Sequence, residues 1–295
     1  MSKTNWARLG GVTVENMAVD RDTARANIRH AMTLRLPEID QLPEWEKSKY
    51  GEPVAIVAAG PSLRYTLSEI GGFKTVILAG SAHDFAISKG VRATYCVLVD
   101  PTPDQVVSYL SRRSPTCNYL VASMCDKGVF EHLKEYPVTM WHCGGKLNGD
   151  DILQGIVPPE KTTLCGGGST VGLRCIDIAN RLGYYEQHLF GFDSCLDPNT
   201  SAMHAFPLND PEKEFSQGTS AQVIGMKIGM DEETARVFRT PNYLAVQAWE
   251  FEKLLKTSQG AAKFTVHGDG IIAEMLRLYN DAMAAHEAKP KVLTA

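Results

Sequence analysis

The sequence predicts a doubly wound α/β fold, with a mostly parallel sheet, helices on both of its faces and a long polar insertion loop. Three observations support this prediction. Short and almost entirely apolar runs recur from residue 53 onward, which is typical of strands buried on both faces of a parallel sheet. Segments with helical patterning separate these runs. A polar stretch rich in Pro, Asn and Asp then breaks the alternation late in the chain.

The apolar runs account for the predicted strands of a Rossmann-like sheet. They begin with VAIVAA and end with KFTVHG, and Val, Ile, Leu and aromatic residues dominate them. Runs of this length, bounded by Gly or polar residues, favour strands over helices. The predicted strands are residues 54–59, 75–80, 95–100, 118–123, 138–143, 162–167, 187–193 and 263–268.

Helices are predicted between these strands. The clearest is STVGLRCIDIANRLGY, which keeps one apolar face, with Ser169 as its N-cap and Gly183 as its end. Asp20 or Asp22 is the expected cap of the first helix, and Gly90 is the expected end of the third. The predicted helices are residues 20–32, 61–70, 82–90, 102–113, 126–136, 169–184, 242–257 and 271–287.

A change in composition near residue 50 divides the chain into an N-terminal extension and a domain. Residues 1–50 are predicted to be an N-terminal helical extension and linker, because the segment before residue 51 is acidic and punctuated by Pro. Residues 51–295 form the predicted Rossmann-like domain. Residues 196–240 interrupt it with an irregular polar insertion, and so long a loop in a compact domain is usually functional, for example as a lid.

Composition excludes several classes of protein. The 295 residues carry a formal net charge of −4 and no strongly basic block, so we expect no nucleic-acid partner. No apolar run is long enough to span a membrane and no signal peptide is evident, so we expect a cytoplasmic protein. The seven cysteines include no CxxC pair, which favours reduced thiols without a zinc site. The oligomeric state stays open, and a homo-oligomer is compatible with the sequence.

Ligands of open α/β sheets bind at the carboxyl ends of the strands, so the residues that follow each apolar run are the candidate binding residues. They are mostly Gly, Ser, Thr and Asp, which offer backbone N–H groups, hydroxyls and carboxylates. The candidates are Gly60, Pro61, Ser62, Ser81, Asp100, Gly166, Gly167, Gly168, Ser169, Thr170, Asp193, Ser194 and Asp269.

Two of these turns are predicted to bind phosphate. GGGST and AGPS each precede a predicted helix, whose free N–H groups and positive dipole end attract anions. Glycine lets a ligand touch the backbone. We expect the two turns to lie side by side and to suit a nucleotide diphosphate or a sugar nucleotide. Neither matches GxGxxG or the P-loop pattern, and tight strand-to-helix turns without a ligand are the alternative.

Three side chains are candidates for the chemistry itself. Asp100 and Asp193 both end strands and would either bind Mg²⁺ or accept hydrogen bonds from a ribose, the alternative being turn formation and helix capping. His204 is the candidate catalytic base of the polar insertion, beside Asp193, and His83 is held in reserve. No cofactor is firmly predicted, and Mg²⁺ enters only through the two aspartates.

Four segments, in order, resemble one family. AAGPSL, YCVLVDP, CGGGSTVGLRCIDIANRLGY and HLFGFDS are similar to segments of the MptE-like proteins, across about residues 53–270. That group includes archaeal 6-hydroxymethylpterin diphosphokinases and motility-associated-factor flagellin glycosyltransferases, and it distantly resembles bacterial sialyltransferases that use CMP-sugars. Uncharacterised phage and bacterial members, with an HAF or HAY loop and a terminal HGDG turn, are the most similar.

The resemblance implies roles for the candidate residues. Gly60, Pro61 and Ser62 would approach the nucleotide phosphates, Asp100 and residues 167–170 would complete the pocket, and Asp193 would face the substrate. One departure affects the identity of the nucleotide: many relatives carry Asn in the turn after the second strand, where this chain has Ser81 between Gly80 and Ala82. Ser reaches less far than Asn toward a base or ribose.

Three functions follow as hypotheses. The favoured one is a transferase with a nucleotide-activated donor, a CMP-sugar or similar sugar nucleotide, and an unknown acceptor. The second is an ATP- and Mg²⁺-dependent diphosphokinase acting on a pterin-like alcohol, with Asp100 and Asp193 as metal ligands. The third is a non-catalytic nucleotide-binding or phage assembly accessory protein. The family itself contains different reactions, so the fold cannot choose among them.

Overall fold

A computed structural model describes residues 19–47, 51–103, 109–143, 152–158, 163–206, 223–258 and 262–287. Its centre is an eight-stranded sheet in the order β10-β7-β1-β2-β3-β4-β5-β6, in which every neighbouring pair is parallel. The predicted doubly wound α/β fold is confirmed. The strands of this sheet are β1 (Pro53–Val57), β2 (Thr75–Ala79), β3 (Tyr95–Leu98), β4 (Asn118–Ala122), β5 (Val138–Cys143), β6 (Leu164–Cys165), β7 (Glu186–Phe190) and β10 (Lys263–His267).

The strand order creates a crevice beside β1. From β1 the chain builds outward through β2 to β6, and it then returns to place β7 on the other side of β1. The register pairs Val57 of β1 with Leu78 of β2 and with Phe190 of β7, so the three strands end level with one another. Ligands of open α/β sheets bind where the strand order reverses in this way. The carboxyl ends of β1 and β7 are therefore the expected site.

Helices surround the sheet close to the predicted positions. They are α1 (Arg21–Thr33), α2 (Leu63–Thr66), α3 (His83–Ser88), α4 (Lys127–Leu133), α5 (Val171–Arg181), α6 (Asn242–Ser258) and α7 (Ile271–Glu287). Asp20 caps α1, as predicted. The predicted N-cap of α5 was wrong: Thr170, not Ser169, has the extended capping conformation and accepts from the N–H of Leu173. Of the predicted helix over 102–113, residues 104–108 lie outside the described residues.

Residues 19–47 pack against the sheet. The Asn27 side chain donates to the carbonyls of Pro101 and Met124, which follow β3 and β4. The segment after α1 lies along β5, where the N–H of Met140 donates to the carbonyl of Pro37 at 2.8 Å. Ile28 of α1 is fully buried in the same core as the strands. The extension is thus packed on the domain as far as the structure describes it.

The insertion contains regular structure that its polar composition did not predict. Residues 207–222 lie outside the described ranges, but an antiparallel hairpin follows them, formed by β8 (Val223–Ile228) and β9 (Arg236–Pro241). In its described part, Met226, Ile228 and Phe238 face the core. β8 is itself largely apolar, and the alternation of buried and exposed residues along it fits a hairpin covered on one face.

The described helices include none that combines the length and the apolar character needed to cross a membrane. All seven cysteines lie within the described residues, and none is in a disulfide. Six of them are buried, Cys143 being the exception, and burial raises the pKa of each thiol because a thiolate is poorly solvated in the core.

Candidate active site

The turn after β1 is joined to the turn after β7. The N–H of Gly60 donates to the carbonyl of Gly191 at 2.9 Å. A Cβ on Gly60 would collide with that carbonyl and with the carboxylate of Asp193. Glycine is therefore required at position 60 because the two turns approach each other closely.

Asp193 is held at this junction by Ser62. Its Oδ2 accepts from the backbone N–H of Ser62 at 3.0 Å and from the hydroxyl of Ser62 at 2.9 Å. The residue is only 5% exposed, and burial raises the pKa of its carboxyl to about 6, although the two bonds from Ser62 oppose that rise. The result is a carboxyl group poised to exchange a proton near neutral pH.

A third turn, between β10 and α7, closes the same junction. The N–H of Ile271, the first residue of α7, donates to the carbonyl of Asp193 at 2.8 Å. A Cβ on Gly268, where φ is +133°, would lie 2.6 Å from the Ser62 hydroxyl oxygen. A Cβ on Gly270 would lie 2.5 Å from the Asp193 carbonyl oxygen. The HGDG turn thus needs its glycines to pack against Ser62 and Asp193.

A cavity of about 500 Å³ opens in front of these three turns. Hairpin β8–β9 forms its opposite wall, through Arg236, Val237, Phe238 and Arg239. Four of the predicted binding residues line it, namely Pro61, Ser62, Asp193 and Asp269. The remaining lining residues are Tyr65, Thr66, Cys195, Leu196, Asp197, Pro198, Asn199, Gly268 and Gly270.

Asp269 binds the hairpin. Its two carboxylate oxygens accept from the guanidinium of Arg236 at 2.7 and 2.8 Å, and this pairing lowers the pKa of Asp269. Arg236 also contacts Glu274 of α7 at 3.3 Å and lies over the ring of Phe238. Asp269 therefore connects the two walls of the cavity.

The GGGST turn is placed differently from the prediction. The N–H and hydroxyl of Ser169 donate to the carboxylate of Glu250 on α6, at 2.8 and 2.7 Å, and the N–H of Gly166 donates to Asp177 at 2.8 Å. A Cβ on Gly168, where φ is +112°, would lie 2.8 Å from Glu250. Protein carboxylates thus occupy donors that were predicted to bind phosphate.

The two predicted turns do not both line this cavity. Residues 166–170, comprising Gly166, Gly167, Gly168, Ser169 and Thr170, contribute nothing to the lining of the cavity. The helix that follows them does reach the site: a Cβ on Gly172 would lie 3.1 Å from the ring of Phe192 and 3.6 Å from Ala58. The helix packs behind the junction while its preceding turn faces α6.

Asp100 and Ser81 follow strands farther along the sheet and do not line the cavity. Asp100 accepts from the Tyr109 hydroxyl at 2.9 Å, and burial raises the pKa of its carboxyl. Ser81 lies half-buried in the short 3₁₀ turn over Gly80–Ala82. The structure therefore does not bring Asp100 together with Asp193.

Ser194 and His204 lie close behind the site without lining the cavity. Ser194 has a positive φ of +53° and a buried hydroxyl, and its carbonyl accepts from Thr240 of β9. His204 is half-buried, and the next residue, Ala205, donates its N–H to the carbonyl of Ala59 at 2.9 Å.

His83, the reserve base, is fully buried, with its ring nitrogens against Asp84 and the Tyr119 hydroxyl. The structure thus gives it a packing role in the core.

Sequence reasoning missed the side chains that line the far wall of the cavity. Arg236 and Arg239 sit in RVFRTP within the polar insertion, where nothing local distinguishes them from ordinary surface charges. Asp197 did carry a signal: DPNT is a typical Asx turn, and its carboxylate accepts from the N–H groups of Asn199 and Thr200. Tyr65, in a predicted helix, was indistinguishable from a core residue.

The fold is similar to that of a glycosyltransferase of known structure. The MAf glycosyltransferase from Magnetospirillum magneticum AMB-1 superposes with a TM-score of 0.57 at 13% identity, which shows similarity of fold. That superposition covers 87% of this chain and 38% of the other, so the chain spans well under half of the length of that protein.

Two crystal structures of a mammalian sialyltransferase align with 69% of this chain and with 83% of their own chains, at 11% and 14% sequence identity. Their TM-scores of 0.31 and 0.34 are too low to carry an argument. No functionally curated protein matches the sequence significantly. A family model described as 6-hydroxymethylpterin diphosphokinase MptE-like matches residues 25–199. Because that match extends over more than half of the sequence, the chain belongs to the MptE-like family.

Proposed function

We propose that this protein is a transferase that uses a nucleotide-activated sugar and that the cavity at the carboxyl ends of β1, β7 and β10 is its active site. The observation that carries the proposal is Asp193, a buried carboxyl with a pKa raised to about 6 in the wall of a cavity of about 500 Å³. The size suits a ligand of nucleotide dimensions. The fold shared with a glycosyltransferase supports the reaction class by analogy.

Asp193 is the proposed general base. Its carboxylate would take the proton from an acceptor hydroxyl while the hydroxyl oxygen attacks the anomeric carbon of the donor sugar. The bond between that carbon and the phosphate oxygen breaks, and its electron pair leaves with the nucleotide. A carboxyl whose pKa lies close to the working pH is an efficient base for this step. Ser62 is the positioning residue, because both of its donors fix Oδ2.

The diphosphokinase alternative has weaker support in the geometry. It requires Asp100 and Asp193 to bind one Mg²⁺ ion, but only Asp193 lines the cavity. Among the residues that the structure describes, no cluster of three His, Cys, Asp or Glu side chains is arranged to bind a metal. His204, the other predicted catalytic residue, does not line the cavity, so we assign the base to Asp193 alone.

Ligand screening and turnover test the proposal together. Thermal melts with CMP, UDP, GDP and ATP, each with and without Mg²⁺, should show selective stabilisation by a nucleotide, of about 2.7 kcal/mol at one hundred times its Kd. Release of that nucleotide from its sugar conjugate should be lost in Asp193→Asn and retained in Asp281→Asn, a matched change on the exposed face of α7.

The other outcomes contradict specific parts of the proposal. Stabilisation by ATP only in the presence of Mg²⁺ would favour the diphosphokinase. Binding of a nucleotide without any turnover would favour the accessory protein. Undiminished turnover in Asp193→Asn would exclude Asp193 as the base, and His204→Gln would then be the next variant to measure.

A further inference from the structure

The two arginines that line the cavity differ in whether a carboxylate neutralises their charge. Arg236 and Arg239 are its two cationic lining residues, and both come from β9. Arg236 is neutralised by Asp269 through two hydrogen bonds and by Glu274. Arg236 is therefore committed to holding the hairpin against the β10–α7 turn.

Arg239 has no such compensation. Its Nη1 donates to the neutral hydroxyl of Ser201 at 3.0 Å, and within the described ranges no carboxylate lies within 4.0 Å of its guanidinium. A guanidinium carries five N–H donors, so most of those on Arg239 remain available. Its backbone is fixed, because its carbonyl accepts from the N–H of Leu196 at 2.8 Å. An exposed cation on a fixed strand therefore lines the cavity.

Each acidic side chain of the lining is hydrogen-bonded to another group, and within the described residues none forms an ion pair with Arg239. The Asp197 carboxylate accepts from the N–H groups of Asn199 and Thr200, and these bonds lower its pKa. Asp269 is paired with Arg236. Among the described residues that line the cavity, Arg239 is thus the one cation without a carboxylate partner. It is the side chain best placed to bind a negatively charged ligand.

An exposed aromatic ring lies in the lining of the same cavity. Tyr65, on α2, is 65% exposed, so its ring is accessible to a ligand in the cavity. Exposed rings of this kind bind the flat faces of bases and sugars by stacking. The cavity therefore combines an anion-binding guanidinium with a stacking surface.

We infer that Arg239 binds the phosphate of the nucleotide donor and that Tyr65 packs against a ring of the same ligand, an inference that rests on the proposed function. Arg pairs with phosphate through parallel N–H···O bonds that Lys cannot reproduce. As the bond between the sugar and the phosphate oxygen breaks, negative charge collects on that phosphate. Arg239 would stabilise this charge while Asp193 takes up the proton of the acceptor.

Calorimetric titration of the full chain tests the inference. The probes are CMP and UDP, each compared with its nucleoside, cytidine or uridine. Arg239→Gln should weaken the binding of the nucleotide about ten- to a hundredfold, as expected for a lost hydrogen bond to a charged group. The affinity for the nucleoside should not change. Arg239→Lys should restore only part of the loss. Tyr65→Ala should weaken the binding of the nucleotide and of the nucleoside by similar factors.

Two control variants separate ligand binding from structure. Arg92→Gln removes the same charge at the amino-terminal end of the strands, in the exposed segment before β3, and should bind as the wild type does. Ser201→Ala removes the hydrogen-bond partner of Arg239 within the protein and should also leave nucleotide affinity intact. If Ser201→Ala reproduces Arg239→Gln, the arginine acts on the loop and the inference is wrong.

The remaining outcomes are equally decisive. Wild-type nucleotide affinity in Arg239→Gln would overturn this inference and leave the proposed function standing. If the wild-type protein binds none of the four probes and is not stabilised by CMP, UDP or GDP in thermal melts, both the inference and the proposed function are wrong. Nucleotide affinity of the wild type should also fall with added KCl, and Arg239→Gln should show a shallower dependence on salt.

Discussion

At the scale of single residues, the site depends on a carboxyl group that is costly to bury. The unfolded chain ionises Asp193 near pH 3.9, whereas burial in the folded protein raises the pKa of this group to about 6. Folding is therefore linked to proton uptake between these two values, and the charged form that a base requires is the form that destabilises the fold. The proposed role of Asp193 as a base and the stability of the fold thus make opposite demands on this carboxyl group.

The first prediction follows from that linkage. Because the folded pKa lies above the unfolded one, the stability contributed by the protonated group is complete below about pH 4 and is lost as the pH rises through about 6, an effect of about 3 kcal/mol. Asp193→Asn keeps an acceptor for Ser62 and does not titrate. Urea unfolding at pH 4.5 and 7.5 should show a smaller loss of stability in the variant, and parallel losses in both proteins would contradict the assignment.

Gly60 provides the second prediction. Gly60→Ala places a Cβ against the Gly191 carbonyl and the Asp193 carboxylate, so the two turns must separate. We expect a loss of about 1–3 kcal/mol in the free energy of unfolding, as for other overpacked positions. Gly71→Ala is the matched control, since a Cβ there meets nothing within 4 Å. Equal stability of the two variants would mean that the junction adapts.

At the scale of elements, the GGGST turn connects two helices. The Glu250 carboxylate on α6 accepts twice from Ser169, at the positive end of the α5 dipole. The sequence pattern correctly indicated a turn able to bind an anion. That anion belongs to the protein itself, and the turn joins α5 to α6.

The third prediction tests that assignment. Glu250→Gln should cost about 1–2 kcal/mol of stability, and a double-mutant cycle with Ser169→Ala should show that the two residues are coupled. Nucleotide affinity should not change, because neither residue lines the cavity. Glu131→Gln on α4, which breaks an exposed ion pair with Lys134, should cost less than about 0.5 kcal/mol. Tighter nucleotide binding by Glu250→Gln would instead mean that Glu250 occupies a phosphate site.

At the scale of the whole molecule, the cavity has two walls of different origin. One wall consists of turns after β1, β7 and β10, fixed by the parallel sheet. The other is hairpin β8–β9, which is not part of that sheet and is tied to the first wall by Arg236. The shape of the cavity therefore depends on this connection.

The fourth prediction concerns the connection. Arg236→Gln should increase amide hydrogen exchange in residues 223–228 and 236–241 while the protection of β1 and β7 stays unchanged, because local opening follows the loss of local contacts. Global stability should fall by only about 1 kcal/mol, since Asp269 is 80% exposed. Unchanged exchange in the hairpin would show that packing of Met226 and Phe238 suffices to hold it.

The strands of the central sheet, most of the helices and the end of the sheet where the candidate site lies could be predicted from the sequence alone. Apolar runs such as 54–59 and caps such as Asp20 act over a few residues, so local pattern is enough to predict them. Which polar groups meet follows from the tertiary fold and could not be predicted. Ser62 lies 131 residues from Asp193, and Ser169 lies 81 residues from Glu250. In the sequence, nothing near Arg239 distinguishes it from an ordinary surface charge. The hairpin places it in the lining of the same cavity as Asp193. Such long-range placement depends on the order of the strands and on the packing of the hairpin, which local sequence patterns do not encode.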